Sequence, residues 1–421
     1  TGYTFHPGES QETFKIFVQG VGSWRRMWYN NRNAAIVRLD RLIQRRKFGK
    51  GAISILRIWY NHTMCGENLT TKTVLQDLPG PLLAWYRANA RDLPWRRTTD
   101  PYQIWVSEIM LQQTRVAAVL GYYARFLKAF PTVEALAEAD EECLLKLWEG
   151  LGYYSRARNL QKAARCIAEG GAFPDTYEDL LKLPGIGDYT ASAIAAAAFG
   201  RPEPAVDGNV LRVVTRLTDC HDDIADQRTK RAIRAALVGA MPSEAADIRI
   251  FNQAMMELGA TLCGPNTAPQ CGDCPVRALC LGHQRGTAEA LPVKKAKKER
   301  RFEEKTVFLL LGTEGVALRK RPKTGLLAGL WEFPNVPGTL DESAAAAAVA
   351  DMGLTPVDWK SRLTAKHIFT HVEWHMTGYI LTVRGSGAAE LVWADGPGLL
   401  ARSVPSAFAR YYAEALRELE E

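Results

Sequence analysis

The hydrophobic pattern of the chain changes once, near residue 300, and this change constrains the fold more than any other feature. From about Leu78 to Leu281, apolar residues recur every three or four positions, which indicates helices separated by short breaks. From Thr306 onward, short runs alternate between apolar and polar residues, which indicates strands. A chain of 421 residues also exceeds one ordinary core. The sequence therefore predicts a multidomain protein, an all-α domain followed by an α+β domain.

The same pattern predicts the individual elements and the domain limits. Helices are expected at Pro81–Ala90, Ile104–Phe126, Leu136–Trp148, Ala157–Ala168, Tyr177–Leu183, Asp188–Phe199, Val210–Thr218, Thr229–Leu237 and Ile248–Leu258. In the second domain, strands are expected at Thr306–Leu311, Val316–Arg319, Ala365–Phe369, His375–Val383 and Leu391–Ala394, and helices at Ser343–Asp351 and Pro405–Leu419. The expected domains are an N-terminal extension of unknown fold (1–75), the helical domain (76–283), a basic exposed connector (284–305) and the α+β domain (306–421).

The positive charge of the chain is unevenly distributed. The net charge is +7, but residues 1–63 hold eleven Lys and Arg against three acids, which leaves −1 for residues 64–421. Any affinity of this larger part for a polyanion must come from local basic groups and backbone amides. No apolar run approaches the roughly 20 residues that cross a bilayer, so we expect no membrane span.

A short glycine-rich turn, Leu183-Pro184-Gly185-Ile186-Gly187, joins two predicted helices. Glycine permits the positive φ of a tight turn, and the backbone N–H groups that open the next helix can bind a phosphate oxygen. Such turns also occur as plain connections between helices. The turn is therefore either a phosphate-binding hairpin or a simple connection.

Two acidic residues lie in unusual surroundings. Glu108 belongs to an otherwise apolar helical stretch, where burial would raise its pKa and make it a proton donor, whereas an exposed helix face would leave it ordinary. Asp207 stands at the start of a predicted helix, where an N-cap role is a sufficient explanation. The residues alone leave both alternatives open.

Four clustered cysteines have the spacing C-x7-C-x2-C-x5-C: Cys263, Cys271, Cys274 and Cys280. Four thiolates can bind either structural zinc or an iron–sulfur cluster. Zinc sites usually contain two separate C-x2–4-C pairs, and only one such pair is present here, so the spacing favours iron–sulfur but leaves zinc as the alternative. The four scattered cysteines lie in apolar patterns and are interpreted as buried free thiols: Cys65, Cys143, Cys166 and Cys220.

Several motifs occur in a characteristic order: Leu93–Arg96, Pro101–Thr114, Gly150–Leu160, the 183–187 turn, Val206–Val210, Phe251–Met256 and the cysteine loop. Together they resemble the helix-hairpin-helix DNA glycosylases, specifically the adenine glycosylases of the MutY type, from about Leu82 to the C-terminus. The resemblance implies an endonuclease III-like core with one 4Fe-4S cluster, held by the four clustered cysteines. The spacing of Cys263 and Cys271 exceeds the usual family spacing by one residue.

The resemblance also assigns roles to individual residues. Glu108 matches the family's catalytic acid and Asp207 its second carboxylate, with Tyr189 and Asn209 in the same catalytic set. The residues that match DNA and lesion contacts in the helical domain are Gln112, Gln113, Tyr153, Leu183, Gly185 and Gly187. The residues that match the adenine pocket are Trp95, Arg96, Leu111, Val116 and Tyr189. The cysteine-loop residue Arg277 is expected to hold a phosphate.

Position 189 decides the expected subclass. Related bifunctional glycosylases carry a lysine there, whose amine attacks the sugar and forms a Schiff base. Tyr189 cannot form an imine, so we expect a monofunctional enzyme that leaves an abasic site. Hydrolysis of an N-glycosidic bond needs a proton on the leaving base and a negative charge near the sugar cation. Glu108 is therefore expected to be protonated and desolvated, and Asp207 to be ionised.

The C-terminal domain resembles the Nudix-like domain of the same family, which recognises 8-oxoguanine opposite adenine. Leu318–Pro322 and Gly325–Pro334 carry this match. The Glu-rich metal-binding box of active Nudix hydrolases is absent, because 343–353 is mostly alanine, so pyrophosphohydrolysis is not expected. Phe369, Thr370 and His371 stand where the family has Phe-Ser-His, a lesion-reading loop. The alternative interpretation of Phe369 is an aromatic residue of the hydrophobic core, located on a strand.

These expectations combine into one function and two rivals. The expected function is removal of adenine mispaired with 8-oxoguanine or guanine from double-stranded DNA, by a monomer that does not bind membranes. We expect it in the cytoplasm with the nucleoid if the source is bacterial, and in the nucleus or mitochondria if it is eukaryotic. The rivals are a glycosylase/lyase that acts on oxidised pyrimidines and a non-catalytic DNA-binding or redox-sensing protein.

Overall fold

The computed structural model describes residues 69–265, 267–294 and 300–420. The helices of the first domain are α1 (Leu69–Gln76), α2 (Pro79–Asn89), α3 (Pro101–Leu111), α4 (Val116–Ala129), α5 (Val133–Glu138), α6 (Glu141–Trp148), α7 (Ser155–Gly170), α8 (Tyr177–Leu180), α9 (Asp188–Phe199), α10 (Gly208–Thr218), α11 (Gln227–Val238), α12 (Ala245–Thr261) and α13 (Leu281–Gln284). The second domain contains β1 (Arg301–Gly312), β2 (Gly315–Lys320), β3 (Trp331–Glu332), β4 (Asn335–Pro337), α14 (Glu342–Asp351), β5 (Thr355–Ile368), β6 (Val372–Arg384), β7 (Leu391–Ala394), α15 (Gly396–Ala401) and α16 (Ala409–Glu420).

The helices pack around two hydrophobic cores. Helices α3 to α9 build the first core, which contains the fully buried Trp105, Phe126 and Trp148. Helices α1, α2, α10, α11 and α12 build the second core, around residues such as Leu82 and Phe251. Helix α9 packs against α12 and so joins the two halves. Side chains that the two halves direct toward this junction can therefore share one site.

The hairpin between α8 and α9 requires glycine at one position. Gly185 has a φ of +78°, and a Cβ there would lie 2.6 Å from Cβ of Asn159 on α7. Gly187 is extended and occupies the N-cap of α9, so no side chain accepts from the first N–H groups of that helix. The hairpin thus presents the amide end of α9 without a capping side chain, as an anion site would require.

Two predicted helices are each split in the structure. The segment Ile104–Phe126 forms α3 and α4, separated by a turn in which Gln113 has a φ of +60°. The segment Leu136–Trp148 forms α5 and α6, because the side chain of Asp140 caps α6 by accepting from two of its amides. The apolar period continues across both breaks, which is why periodicity alone predicted single helices.

The second domain is built on one mixed, seven-stranded sheet with the order β3-β2-β1-β6-β5. Strands β1 and β6 are parallel, β4 pairs with β1, and β7 pairs with β2. Strands β5 and β6 form a long antiparallel hairpin, and Phe369, Thr370 and His371 lie in its turn. The alanine-rich α14 packs by Ala345 and Val349 on one face, and α16 covers the other by Tyr411.

The two domains contact each other directly. Leu330, which is fully buried, and Leu327 join the first helical core from the segment between β2 and β3. Lys320 pairs with Glu142 at 2.8 Å, and the amide of Val404 donates to Glu149 at 3.2 Å. Apolar and charged contacts therefore both hold the second domain against the helical one.

Some expectations are corrected by the structure. Helix α1 begins inside the segment predicted as an N-terminal extension, and Val74 and Leu75 belong to the second core. Strand β1 begins at Arg301, inside the predicted connector, because it pairs with β6 from its first residue. Residues 1–68 and most of the basic connector run, 295–299, lie outside the described residues.

The scattered cysteines also differ from the expectation of buried free thiols. Cys143 and Cys166 are free but exposed, since they lie on the outer faces of α6 and α7. Cys220 is buried and disulfide-bonded. Cys65 lies outside the described residues. No helix within the described ranges is long and apolar enough to traverse a bilayer.

Candidate active site

Glu108 and Tyr189 meet at the junction of the two helical halves. Glu108 lies on α3, and Tyr189 lies on the first turn of α9, two residues after the last glycine of the hairpin. The hydroxyl of Tyr189 donates to Oε2 of Glu108 at 2.7 Å and lies 3.2 Å from Sδ of Met256 on α12. The hairpin therefore fixes a tyrosine directly against the candidate acid.

Asp207 enters the same site from the second half. Its carboxylate caps α10, accepting from the amide of Val210 and from the side chain of Asn209, both at 2.7 Å. Its charge is close enough to raise the pKa of Glu108 and of Tyr189. Asp207 is thus an N-cap residue, as the sequence allowed, and its charge also acts on Glu108.

The two carboxyl groups have different surroundings. Burial raises the pKa of Glu108 to about 7, against the opposing hydrogen bond from Tyr189, and the charge of Asp207 raises it further. Burial also raises the pKa of Asp207, but the hydrogen bonds from Val210 and Asn209 stabilise its ionised form. Glu108 therefore carries a proton part of the time near neutral pH, while Asp207 is held by fixed donors.

An ion-pair cluster around one buried carboxylate borders the site. Glu257 on α12 is 1% exposed and accepts from Arg91 and Arg96, each with a 2.7 Å contact to Oε2. Burial alone would raise the pKa of Glu257, but these hydrogen bonds lower it to about 2. The guanidinium of Arg96 in turn lowers the pKa of Glu108. Glu257 therefore fixes a cation beside the candidate acid.

The other residues predicted for an adenine pocket lie on α3, α4 and the preceding turn. Trp95 is buried and packs edge-on against Tyr123, with ring centroids 5.4 Å apart. Leu111 ends α3 and Val116 begins α4, and both are partly buried against the first core. Their contact with a base remains a prediction.

The predicted duplex-contacting residues lie on neighbouring loops. Gln112 donates to Thr190 on α9 at 3.3 Å, and Gln113 is exposed. Tyr153 is 47% exposed and has a φ of +46°. Leu183 is buried beneath the hairpin and supports it from within.

The turn of the second domain reaches the helical domain at Tyr153. The hydroxyl of Tyr153 lies 2.7 Å from Oγ1 of Thr370, and His371 is exposed beside it. Phe369 is partly buried and packs edge-on against Trp374, with centroids 4.9 Å apart. Phe369 thus lies in the turn and packs on the core, and its contact with a lesion stays a prediction.

The four clustered cysteines line one cavity between α10, α12 and the loop that follows α12. Arg216 donates to Sγ of Cys263 at 3.2 Å, and apolar residues such as Val213 and Leu258 complete the wall. Burial raises the pKa of Cys274 to about 11, and the neighbouring cysteines oppose its ionisation further. Ionising all four thiols in one cavity would therefore need a cationic centre to neutralise the thiolates.

The four thiols surround one cavity and form a possible ligand set for one metal centre. Four thiolates are a donor set that fits an iron–sulfur cluster and also structural zinc.

The candidate site includes residues that sequence reasoning did not single out. They are Tyr86, Arg91, Arg156, Thr190, Gln253 and Glu257. The signal for Glu257 was present, because it is an acid within the apolar run of α12, as Glu108 is within α3. The others have no local signal, because their partners lie on distant segments or are backbone carbonyls.

Two family models match the chain, one in each domain. The HhH-GPD superfamily of base excision DNA repair proteins matches residues 106–237, and the NUDIX domain family matches residues 306–414. These matches define a helix-hairpin-helix DNA glycosylase with a Nudix-like second domain. A thermostable thymine-DNA glycosylase structure aligns at 27% identity with a TM-score of 0.44, over 51% of this chain and 99% of its own.

Closer sequence relatives specify the family. Human adenine DNA glycosylase is 36% identical over 73% of this chain and 67% of its own length, and the rat protein is 36% identical over 75% and 73%. The Arabidopsis thaliana protein is 37% identical over 77% of this chain and 60% of its own. The chain belongs to the adenine DNA glycosylase family, which comprises N-glycosyl hydrolases of base excision repair.

Proposed function

We propose that this glycosylase removes adenine mispaired with 8-oxoguanine or guanine by hydrolysis, is monofunctional, and leaves an abasic site. The observation that carries the proposal is the hydrogen bond between Tyr189 and Glu108 in a site that also contains Asp207. A desolvated acid beside an ionised carboxylate is the arrangement that cleavage of a glycosidic bond needs.

Glu108 acts as the general acid. With a pKa of about 7, it is protonated often enough to donate to N7 of the leaving adenine and is acidic enough to release that proton. Asp207 stabilises the positive charge that develops on the sugar and assists its capture by water. Asn209 holds that carboxylate through its 2.7 Å hydrogen bond, and Arg212 holds Asn209 at 2.9 Å.

Tyr189 is the basis for the monofunctional mechanism. A phenol cannot form a Schiff base, and burial raises the pKa of Tyr189 well above its ordinary value, so the hydroxyl stays protonated. It serves instead as a fixed hydrogen-bond donor to Glu108. Strand cleavage through an imine at this position is therefore excluded.

Adenine leaves the duplex and enters the space bordered by Trp95, Arg96, Leu111 and Val116. Extrusion costs a few kcal/mol and is easier at a mispair. The space that the extruded base leaves in the duplex is filled by Gln112, Gln113 and Tyr153. The hairpin of Leu183, Gly185 and Gly187 and the exposed Arg277 hold phosphates.

The second domain recognises the base opposite adenine. Support comes from the 2.7 Å contact between Thr370 and Tyr153, because it brings the Phe369–His371 turn beside the residue that enters the duplex. The hydroxyl of Thr370 can bond the lesion as a serine would. The protein acts on double-stranded DNA with an adenine mispair, as a monomer. It works in the cytoplasm with the nucleoid if the source is bacterial, and in the nucleus or mitochondria if it is eukaryotic.

The cysteine cavity holds one 4Fe-4S cluster, ligated by Cys263, Cys271, Cys274 and Cys280. The cluster supplies structural support for the loop rather than chemistry on the base. Arg212 and Arg216 both donate to the carbonyl of Cys263, at 2.8 and 3.2 Å. Through Asn209, the same contacts connect the cysteine loop with Asp207.

Single-turnover release of adenine from an 8-oxoguanine:adenine duplex tests the proposal. Wild type should release adenine, Glu108→Gln should release it at least about a thousandfold more slowly, and the exposed Glu138→Gln should behave as wild type. Borohydride should trap no covalent DNA adduct. A trapped adduct would favour the glycosylase/lyase, and binding without release would favour the non-catalytic alternative.

A further inference from the structure

One partly buried arginine, Arg156, contacts both of the loops that carry the exposed Gln113 and Tyr153. Nη1 of Arg156 donates to the carbonyls of Ile109 and Gln112, at 2.7 and 2.6 Å. Nη2 of the same side chain donates to the carbonyls of Leu151 and Gly152, at 2.9 and 3.2 Å. A single planar group thus bridges the end of α3 and the loop before α7.

Both bridged loops contain a non-glycine residue with a positive φ. Gln113, at +60°, follows the carbonyl of Gln112, and Tyr153, at +46°, follows that of Gly152. Such backbone conformations are unfavourable for ordinary side chains and persist when their surroundings hold them. The guanidinium supplies those surroundings, since it binds the carbonyl immediately before each strained residue.

The side chain also supports the ring of Tyr153 itself. The guanidinium carbon of Arg156 lies 5.4 Å from the centroid of that ring and 5.5 Å from that of Trp148. Within the described part of the chain, its hydrogen-bond acceptors are carbonyl oxygens and not a carboxylate. Tyr153 in turn contacts Thr370 of the second domain. Arg156 thus aligns the Gln112–Gln113 loop with Tyr153 and, through Tyr153, with the Phe369–His371 turn.

We propose that Arg156 is the positioning residue for base extrusion, setting the spacing between the Gln112–Gln113 loop and Tyr153 so that both can enter the duplex together. This inference rests on the proposed function, in which these residues fill the gap behind the adenine. Lysine keeps the charge, but one nitrogen cannot span both loops, so geometry rather than charge is required.

The test compares Arg156→Lys and Arg156→Met with matched changes at Arg165. Arg165 lies on the same helix, α7, and donates to a backbone carbonyl, that of Ala137 at 3.0 Å, away from both loops. Extrusion is measured by the fluorescence of 2-aminopurine placed next to the target adenine, in a Glu108→Gln background that blocks excision. Adenine release is measured in single turnover without that background, and thermal unfolding shows that each variant is folded.

Both Arg156 variants should lower the extrusion signal and the release rate by about tenfold to a hundredfold, whereas both Arg165 variants should match wild type. Normal extrusion with slow release would overturn the proposal, because Arg156 would then act on chemistry. Wild-type behaviour of Arg156→Lys would also overturn it, because charge alone would suffice. Failure of the proposed function is distinct, since wild type itself would then release no adenine.

Discussion

The hydroxyl of Tyr189 donates a 2.7 Å hydrogen bond to Glu108, across 81 residues of sequence. The bond joins the helix after the hairpin to the helix that carries the acid. It stabilises the ionised form of Glu108 and so opposes the effect of burial on its pKa. The hairpin therefore does more than expose backbone amides, because it positions the hydroxyl that lowers the pKa of the candidate acid, Glu108.

The pH dependence of excision follows from the pKa of Glu108, which burial raises to about 7. The protonated form predominates below this pH and is lost above it. The single-turnover rate should therefore fall about tenfold per pH unit above pH 7, when measured at saturating enzyme. A rate that is constant from pH 6 to pH 9 would show that Glu108 is not the proton donor.

Substitution Tyr189→Phe should move that profile toward higher pH. Without the hydroxyl, the ionised form of Glu108 loses a donor, and its pKa rises further above 7. The measurement is the midpoint of the pH–rate profile for variant and wild type on the same duplex. Tyr177→Phe is the control, because the hydroxyl of Tyr177 donates to Asp188 rather than to Glu108. A midpoint that stays the same or falls contradicts the prediction.

Substitution Glu257→Gln should destabilise the helical domain by about 3 kcal/mol, because it leaves Arg91 and Arg96 without their buried counter-charge. The midpoint of urea unfolding at pH 7 measures the change, with the exposed Glu138→Gln as control. Because the folded pKa of Glu257 is lowered to about 2, its stabilisation is complete above its ordinary pKa of 4.5. It should disappear as the pH falls toward 2. Equal midpoints at pH 7 would refute the prediction.

Substitution Gly185→Ala should weaken both the fold and DNA binding. The added Cβ would clash with Asn159 at 2.6 Å and would occupy a φ of +78°. We expect a loss of about 2 kcal/mol in unfolding free energy and a weaker affinity for undamaged duplex. Gly187→Ala is the steric control, because its Cβ meets nothing within 4 Å, and its stability should be unchanged. Equal stability of the two variants would argue against the steric explanation.

Substitution Cys274→Ser should remove the metal centre. Purified wild type should contain about four iron atoms and four acid-labile sulfides per chain, and the variant substantially less of both. Cys166→Ser is the matched control, because Cys166 is an exposed free thiol outside the cavity. One zinc atom per wild-type chain, without iron, would assign the cavity to zinc instead.

The chain itself determined the class of each domain and the position of the hairpin. Asp188–Phe199 and Leu391–Ala394 have the limits predicted for them, because glycines or polar turns end their hydrophobic pattern abruptly. The family membership was also evident from ordered motifs. These features are local, since the period, the turn residues and the cysteine spacing are each set within a few residues.

Tertiary structure decided how the site is tuned. Whether Glu108 is an ordinary surface acid or a desolvated one depends first on burial by the packed helices, and then on Tyr189, Asp207 and Arg96, which approach from other elements. The contacts of Arg156 also depend on tertiary structure. Its partners are backbone carbonyls, which every residue carries, so the sequence does not indicate which of them it binds. Sequence patterns report which faces are buried, but a pKa or a shared hydrogen-bond partner depends on distances between segments that only packing brings together.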